Sequence, residues 1–216
     1  MAIWSRKIFQ DHINQDIPLS TPLDHVNLLV VDTETTGFAI GKEDRLIEVG
    51  AVPIVGLKVL EKHIFHSHVN PGRTIPSEIT ALTSIEDSDV TDAPSAQKVI
   101  ERLFAFGSEH NVNGMAGHYL SFDMLVLKHE LRRSSYKFVQ PAAVDTLDLL
   151  AYLVPTWEMK DLSYYASVFE TRMYDRHSAV GDALTAAYLF CELCERIKER
   201  GKGTWGDLLE LSSLRF

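Results

Sequence analysis

Apolar positions along the chain fall into short blocks whose spacing alternates between the period of a strand and the period of a helix. The run from Val26 to Val31 is nearly all apolar and stops abruptly at Asp32, which predicts a buried strand. Arg45 to Ile54 (Leu46, Ile47, Val49, Ala51, Val52) predicts a second strand. Gly56 marks a hairpin, and the mixed stretch Lys58 to Val69 predicts a third strand. From there helical spacing alternates with short apolar runs. Ser77 to Leu82 follows Pro76 as a short helix, and Ala96 to Phe106 carries Val99, Leu103 and Phe106 on one stripe. Val112 to Ala116 predicts a strand ending at Gly117, and Ser121 stands where it can cap a helix from Phe122 to Arg132. Ala142 to Val144 is a candidate fifth strand, with Asp145 as cap of a helix reaching Leu153. Asp161 to Phe169 is a further helical piece, and Ser178 to Arg200 is the longest periodic segment, stopped by Gly201 and Gly203.

Three hairpin-linked strands followed by α-β-α-β-α alternation predict an α/β fold, a mixed five-stranded sheet with helices on both faces. Three strands would be antiparallel and two parallel. Ahead of this body, Trp4, Ile8, Phe9 and Ile13 fall at helical spacing, so residues 3–14 read as an amphipathic helix within an arm of residues 1–24. A central domain of residues 25–200 follows, then an amphipathic tail, 201–216, with Trp205, Leu208, Leu209, Leu211 and Leu214.

Composition narrows the picture without deciding it. With 45% hydrophobic and 24% charged residues, the 216-residue chain is an ordinary globular sequence, long enough for one sizeable core. No apolar run approaches the roughly 18 residues needed to span a membrane, and Met1 to Gln10 lacks the apolar segment of a signal peptide. Cys191 and Cys194 stand three apart on a helix with no second pair to complete a zinc site, so they read as buried, reduced thiols. The expectation is a cytoplasmic protein with no membrane association. The net charge of −9 lacks the basic footprint usual in a nucleic-acid binder, so any such role has to rest on a local site.

That site begins at Val30-Val31-Asp32-Thr33-Glu34-Thr35-Thr36-Gly37. Side chains alternate along a strand, so Asp32 and Glu34 share a face. Two carboxylates at the end of a buried strand repel each other and are costly to desolvate, and a divalent cation between them removes both costs. Topology switches at strand ends are also where α/β sheets gather ligands. Two further acids have suitable surroundings: Asp123 in the first turn of a helix after a buried strand, and Asp182 five residues after His177 at the start of the longest helix. Taken singly, each acid reads as structural, a favourable partner for a helix dipole. On the third strand His66 and His68 share a face, which permits a metal site, although the solvated face of an outer strand accounts for them, and for His63, at lower cost.

The order Asp-x-Glu on the first core strand, Phe122-Asp123 opening a middle helix and His177-x4-Asp182 opening the last one resembles the DEDD exonuclease superfamily, in its histidine branch. That branch includes the proofreading subunit of bacterial replicative DNA polymerases, ribonuclease T and oligoribonuclease. Val69-Asn70-Pro71, Ile75-Pro76, Ala81-Leu82-Thr83-Ser84-Ile85 and Val144-Asp145-Thr146 are also similar to the proofreading group, and the likeness covers roughly residues 26–198. Where the family often carries His-Asn before the second motif, this chain has His118-Tyr119, and several relatives carry histidine where Thr83 stands. The resemblance implies a ribonuclease-H-like fold and 3′–5′ hydrolysis of single-stranded or frayed 3′ ends, with release of nucleoside 5′-monophosphates. It implies two Mg²⁺, replaceable by Mn²⁺, on Asp32, Glu34, Asp123 and Asp182, hard oxygen ligands suited to such ions. His177 would be the general base, an imidazole being able to accept a proton near neutrality. Thr35, Thr36, Leu82 and Thr83 would hold the terminal nucleotide. DNA is the expected polymer, with a separate polymerase or another protein as a partner. The alternatives are an RNA-processing exoribonuclease of the same fold and a non-catalytic nucleic-acid-binding module.

Overall fold

Period-2 alternation along the central strand decides which side of the sheet each later element covers. The computed structural model describes residues 7–9, 13–154 and 159–212. In chain order its strands are β1 (Lys7–Ile8), β2 (Asn27–Thr35), β3 (Leu46–Val55), β4 (Lys58–Val59), β5 (Phe65–His68), β6 (Gly114–Gly117), β7 (Tyr136–Lys137) and β8 (Ala143–Asp145). The helices are α1 (Ser77–Thr83), α2 (Asp87–Val90), α3 (Ala96–Glu109), α4 (Leu120–Arg133), α5 (Thr146–Leu153), α6 (Leu162–Val168), α7 (Ala179–Glu199) and α8 (Trp205–Leu211).

The main sheet runs β4-β3-β2-β6-β8, with β5 also on β3. β2 is antiparallel to β3 and parallel to β6, β6 is parallel to β8, and β4 and β5 are both antiparallel to β3. The sheet is therefore mixed, as expected, with five strand positions. The position expected to hold one strand, Lys58 to Val69, is divided between β4 and β5. Pro53 explains the break. Its carbonyl accepts Leu60 N–H at 2.9 Å on that side of β3, but proline has no N–H to return, so the ladder stops and the chain turns before rejoining at Phe65.

Leu28 and Val30 of β2, with Val52 and Ile54 of β3, point into a core built by α5, α6, α7 and α8. Leu29 and Val31, with Val49 and Ala51, point to the opposite face and a second core beneath α3 and α4. Continuing the alternation, Asp32 and Glu34 emerge on the α7 face and Thr33 on the α4 face. A one-residue slip of β2 would exchange them.

Helix α7 lies close on the sheet because Gly50 has no side chain: a Cβ there would stand 2.2 Å from the Ala179 carbonyl carbon. The approach brings the first turn of α7, including Asp182, against the ends of β2 and β3. Asp145 caps α5 by accepting Leu147 N–H at 3.0 Å, as its position before the helix predicts. The same oxygen accepts Tyr119 N–H at 3.0 Å, fixing the entry to α4. Helix α4 accordingly starts at Leu120 behind a left-handed Tyr119 (φ 59°), and Ser121, expected as its cap, lies inside the first turn.

The helix expected over residues 3–14 is not formed where the chain is described. Lys7–Ile8 is a strand parallel to β7, and Phe9 N–H continues the pairing to Lys137 at 2.9 Å. The unpaired edge of β7 and the aromatic pocket of Phe104, Tyr136 and Phe138 around Phe9 outweigh the weak helical spacing. Residues 3–6 and 10–12 of that expected helix, and Leu214 of the tail, lie outside the described residues. At the other end, Trp205 and Leu208 of α8 are buried in the α7-side core. Cys194 is buried beside Cys191, both thiols are free, and burial pushes Cys191 up to about 12. No helix among the described residues is long and apolar enough to cross a membrane.

Candidate active site

Strand parity and the seat on Gly50 place three acids together. One carboxylate oxygen from each of Asp32, Glu34 and Asp182 lies within 4.8 Å of the others. Asp123 enters from the first turn of α4 on the other side of β2 and lines the same cleft. It is held by Thr33, whose hydroxyl donates to Asp123 Oδ1 at 2.6 Å. The middle residue of the Asp-Thr-Glu run is thus the support for the third acid, a link that alternation alone hints at by turning Thr33 toward α4.

Crowding shows in the acidities. Burial, followed by the charges of Asp123, Asp182 and Glu34, raises the Asp32 carboxyl well above its ordinary value. Burial and then Asp182, Glu48 and Asp123 push Glu34 up to about 8. Asp123 and Asp182 are also raised, each first by burial. Among the described residues, a guanidinium answers this cluster. Arg176 forms a short ion pair with Asp182 Oδ1, and its charge works against the raised pKa values of Asp32, Glu34 and Asp182. A guanidinium drawn among convergent carboxylates marks a place that needs positive charge. All-oxygen donors at this spacing fit hard divalent cations.

His177 has a left-handed backbone (φ 60°), and its amide donates to Asp182 Oδ2 at 3.2 Å. Its ring is near enough to act on the Asp182 charge, yet Arg176 and not His177 lines the cleft. Thr35 and Leu82 line it as well. Thr36 instead donates to Asp44 at 2.9 Å and secures the turn after β2, and Thr83 donates to Ile79 O at 2.9 Å at the end of α1. The structure therefore brings Leu82 and Thr35 to the cleft and turns Thr36 and Thr83 away from it.

Most of the wall lies outside the acid motifs. Phe38, Ile79, His118, Tyr119, Phe122, Leu162 and Arg176 complete a cleft of about 290 Å³. Phe38 is 85% exposed, and its ring lies 5.7 Å from that of Phe122. His118 Nδ1 is hydrogen-bonded to Thr146 Oγ1 at 2.7 Å, and burial, then Arg176, pushes the ring down to about 4, so it is neutral near pH 7. An exposed phenylalanine in the loop after a strand, or an arginine beside a histidine, carries no periodic signal that would flag it.

A sheet of this topology with an acidic cluster at the end of its central strand defines a nuclease of the ribonuclease-H-like class. Residues 29–190 match the RNase_T family, described as Exonuclease, and the chain belongs to that family. It is 32% identical over 191 residues to a DNA polymerase III subunit epsilon-like protein of Rhodobacter capsulatus, covering 88% of this chain and 27% of that protein. It is 31% identical over 193 residues to the PolC-type DNA polymerase III of Caldanaerobacter subterraneus subsp. tengcongensis, covering 88% and 13%. Similarity to the 3′-5′ exonuclease DinG of Bacillus subtilis is 27% over 186 residues, covering 85% and 19%. The chain thus spans about an eighth to a quarter of the length of these relatives. Its fold is that of Exonuclease X, solved with 5′ overhanging duplex DNA (TM-score 0.62, 21% identity, 85% of this chain and 98% of that one). It is equally that of the nuclease domain of 3′hExo, a DEDDh family member solved with rAMP (TM-score 0.67, 14% identity, 82% and 94%).

The raised pKa values set a pH dependence for the metal-free protein. Folded Glu34 holds its proton up to about 8, against an ordinary value of 4.5. The folded state therefore binds more protons than the unfolded chain between those values, and stability falls as pH rises through them. Melting curves in chelator should show Tm dropping between about pH 5 and pH 8.5, by roughly 2–4 °C per kcal/mol lost. With Mn²⁺ present the drop should disappear. A chelated protein that melts higher at the alkaline end would contradict the clustered acids.

Proposed function

We propose that this chain is a 3′–5′ exonuclease domain that removes nucleoside 5′-monophosphates one at a time from single-stranded or frayed 3′ ends, with DNA as its polymer. The observation that carries the reading is the cluster of Asp32, Glu34 and Asp182, with Asp123 on the same cleft, open to an exposed aromatic wall. The DNA polymerase III relatives favour DNA and a polymerase partner. We place the protein in the cytoplasm, which suits its two free, buried-side thiols.

Two Mg²⁺, held by Asp32, Glu34, Asp123 and Asp182 and replaceable by Mn²⁺, would supply the positive charge that phosphodiester hydrolysis needs at the scissile phosphate and the departing 3′ oxygen. The chain's own groups do the rest. Phe38, Phe122 and Tyr119 offer faces on which bases stack, worth about 1–3 kcal/mol per base and blind to sequence. Leu82, Ile79 and Thr35 close the end of the cleft around the terminal nucleotide. His177 stands beside Asp182 and outside the cleft lining, so its ring would have to turn into the cleft to take the proton from the attacking water as the O–P bond forms; the leaving 3′ oxygen is protonated from solvent. Its backbone bond to Asp182 ties the base to the acid cluster. Neutral His118 can donate a hydrogen bond without adding charge.

A 3′-labelled and a 5′-labelled single strand with Mg²⁺ test this reading. Immediate release of the 3′ label as mononucleotide, with stepwise shortening of the 5′-labelled strand, is expected. Internal cuts, or no cleavage, would overturn it. Matched DNA and RNA oligomers decide the polymer in the same assay.

His177→Ala should lower the rate by about 10²–10⁴-fold, the usual contribution of a positioned base. The Mn²⁺-induced rise in Tm should be retained. An alanine variant with wild-type rate, or one that loses its response to Mn²⁺, removes His177 from the base role.

A further inference from the structure

The parity that carries Asp32 and Glu34 onto the α7 face carries three other side chains there too. Glu48 of β3 pairs in register with Glu34 on one side and with His68 on the other. His66 pairs with Gly50, two residues along, so it stands on the same face of the sheet as His68 and Glu48. His66 Nε2 lies 2.7 Å from Glu48 Oε1 and His68 Nε2 lies 3.9 Å from the same oxygen. One donor atom from each of the three lies within 4.8 Å of the other two.

We propose that Glu48, His66 and His68 form a second metal site, for a borderline transition-metal ion such as Zn²⁺, separate from the four-carboxylate cluster.

Donor chemistry separates the two sites. Two imidazole nitrogens and one carboxylate suit Zn²⁺, Co²⁺ or Ni²⁺, whereas an all-carboxylate set suits Mg²⁺ and Mn²⁺. Zinc bonds of about 2.0–2.2 Å put tetrahedral donors roughly 3.4 Å apart. Small rotations of the two rings reach that spacing, and their side chains, 46% and 32% exposed, are free to make them. The same exposure leaves a fourth position open to water.

Glu48 is the anchor. It is 5% exposed, and its other oxygen accepts Ala179 N–H at 2.9 Å, the kind of outer hydrogen bond that orients a ligating carboxylate. Ala179 lies two residues after His177 and three before Asp182. An ion on Glu48 Oε1 therefore ties β5, through one carboxylate, to the segment that carries the last two residues of the acid motif. Binding at this site needs no nuclease activity. The proposal and the proposed reaction can fail independently.

The experiment is calorimetric titration of the full chain with Zn²⁺ in buffer holding excess Mg²⁺. Wild type is expected to take up one equivalent that raises Tm. His66→Ala and His68→Ala should each weaken that uptake by about 100-fold or more, beyond the 10–100-fold typical of outer-shell changes. The pair His63 and His110, whose ring nitrogens are 3.2 Å apart, is the control, and His63→Ala/His110→Ala should leave uptake unchanged. If His68→Ala fails to fold, His66→Gln, at the more exposed ring, carries the test. The proposal is overturned if wild type binds no Zn²⁺ under these conditions, if the His66 and His68 variants bind as wild type does, or if Asp182→Asn alone removes the uptake.

Discussion

Asp182→Asn is expected to abolish 3′-end hydrolysis and yet to give, in chelator, a protein that melts higher than wild type. Two effects compete. The asparagine loses the ion pair to Arg176, but it also removes a negative charge facing Asp32 and Glu34. The net displacement of the Asp182 pKa decides between them. It is upward, burial outweighing Arg176, so the fold favours the uncharged form and a neutral isostere gains stability above the ordinary carboxylate range. The amide oxygen can still accept His177 N–H, so the local turn survives. Metal reverses the ranking. A ligand at a hundred times its Kd stabilises the native state by about 2.7 kcal/mol. For a chain of this size that is a rise of roughly 5–10 °C for wild type. The variant should gain much less. Paired melting curves with chelator and with Mn²⁺, and a rate measurement, check the set. Equal responses to Mn²⁺ would remove Asp182 from the cluster. Asp32→Ala should be equally inactive for the same reason.

Gly50→Ala should be as damaging without touching an acid. The added Cβ would stand 2.2–2.4 Å from the Ala179 carbonyl and the Val180 nitrogen, backbone atoms that cannot rotate out of the way. Either β3 or the start of α7 must move. Overpacking of this kind costs about 1–3 kcal/mol, so Tm should fall by several degrees. The larger effect is on the reaction. Asp182 and His177 ride on the displaced segment, and a misplacement of about 1 Å can cost on the order of 10²-fold. Activity should fall at least that far while the secondary structure, read by circular dichroism, stays native. A variant of unchanged rate and Tm would show that α7 does not need its close seat. Gly72→Ala is the contrast: a Cβ there meets nothing within 4 Å, so any effect comes only from its left-handed backbone.

The core strands and the acids were legible because both depend on local, strongly periodic signals. Leu28 to Val31 announces a strand buried on both faces, and Asp32 and Glu34 inherit their common side from the same alternation. The longest helix was visible from end to end, within a residue at each terminus. What stayed hidden depends on partners distant in sequence. Lys7–Ile8 is a strand because β7 offers an edge some 130 positions later. The break between β4 and β5 follows from a proline on the neighbouring strand. Thr33 matters through Asp123, and Glu48 through Ala179, pairings that no spacing within one segment reveals. Leu82 and Thr83 were expected to act together, but adjacent positions on a helix point apart, so only one reaches the cleft.

The guanidinium of Arg176 gives the chain its own occupant for the charge-starved cleft, and this changes what metal loading means. A divalent ion entering the cluster would compete with a cation already paired to Asp182. The measured affinity is then a difference between two ion pairings. It will look modest even where the direct bonds to oxygen are strong. The same pairing gives the nascent chain a route to fold before any metal is encountered, with one tethered charge holding the acids in check until a freely diffusing one competes for them.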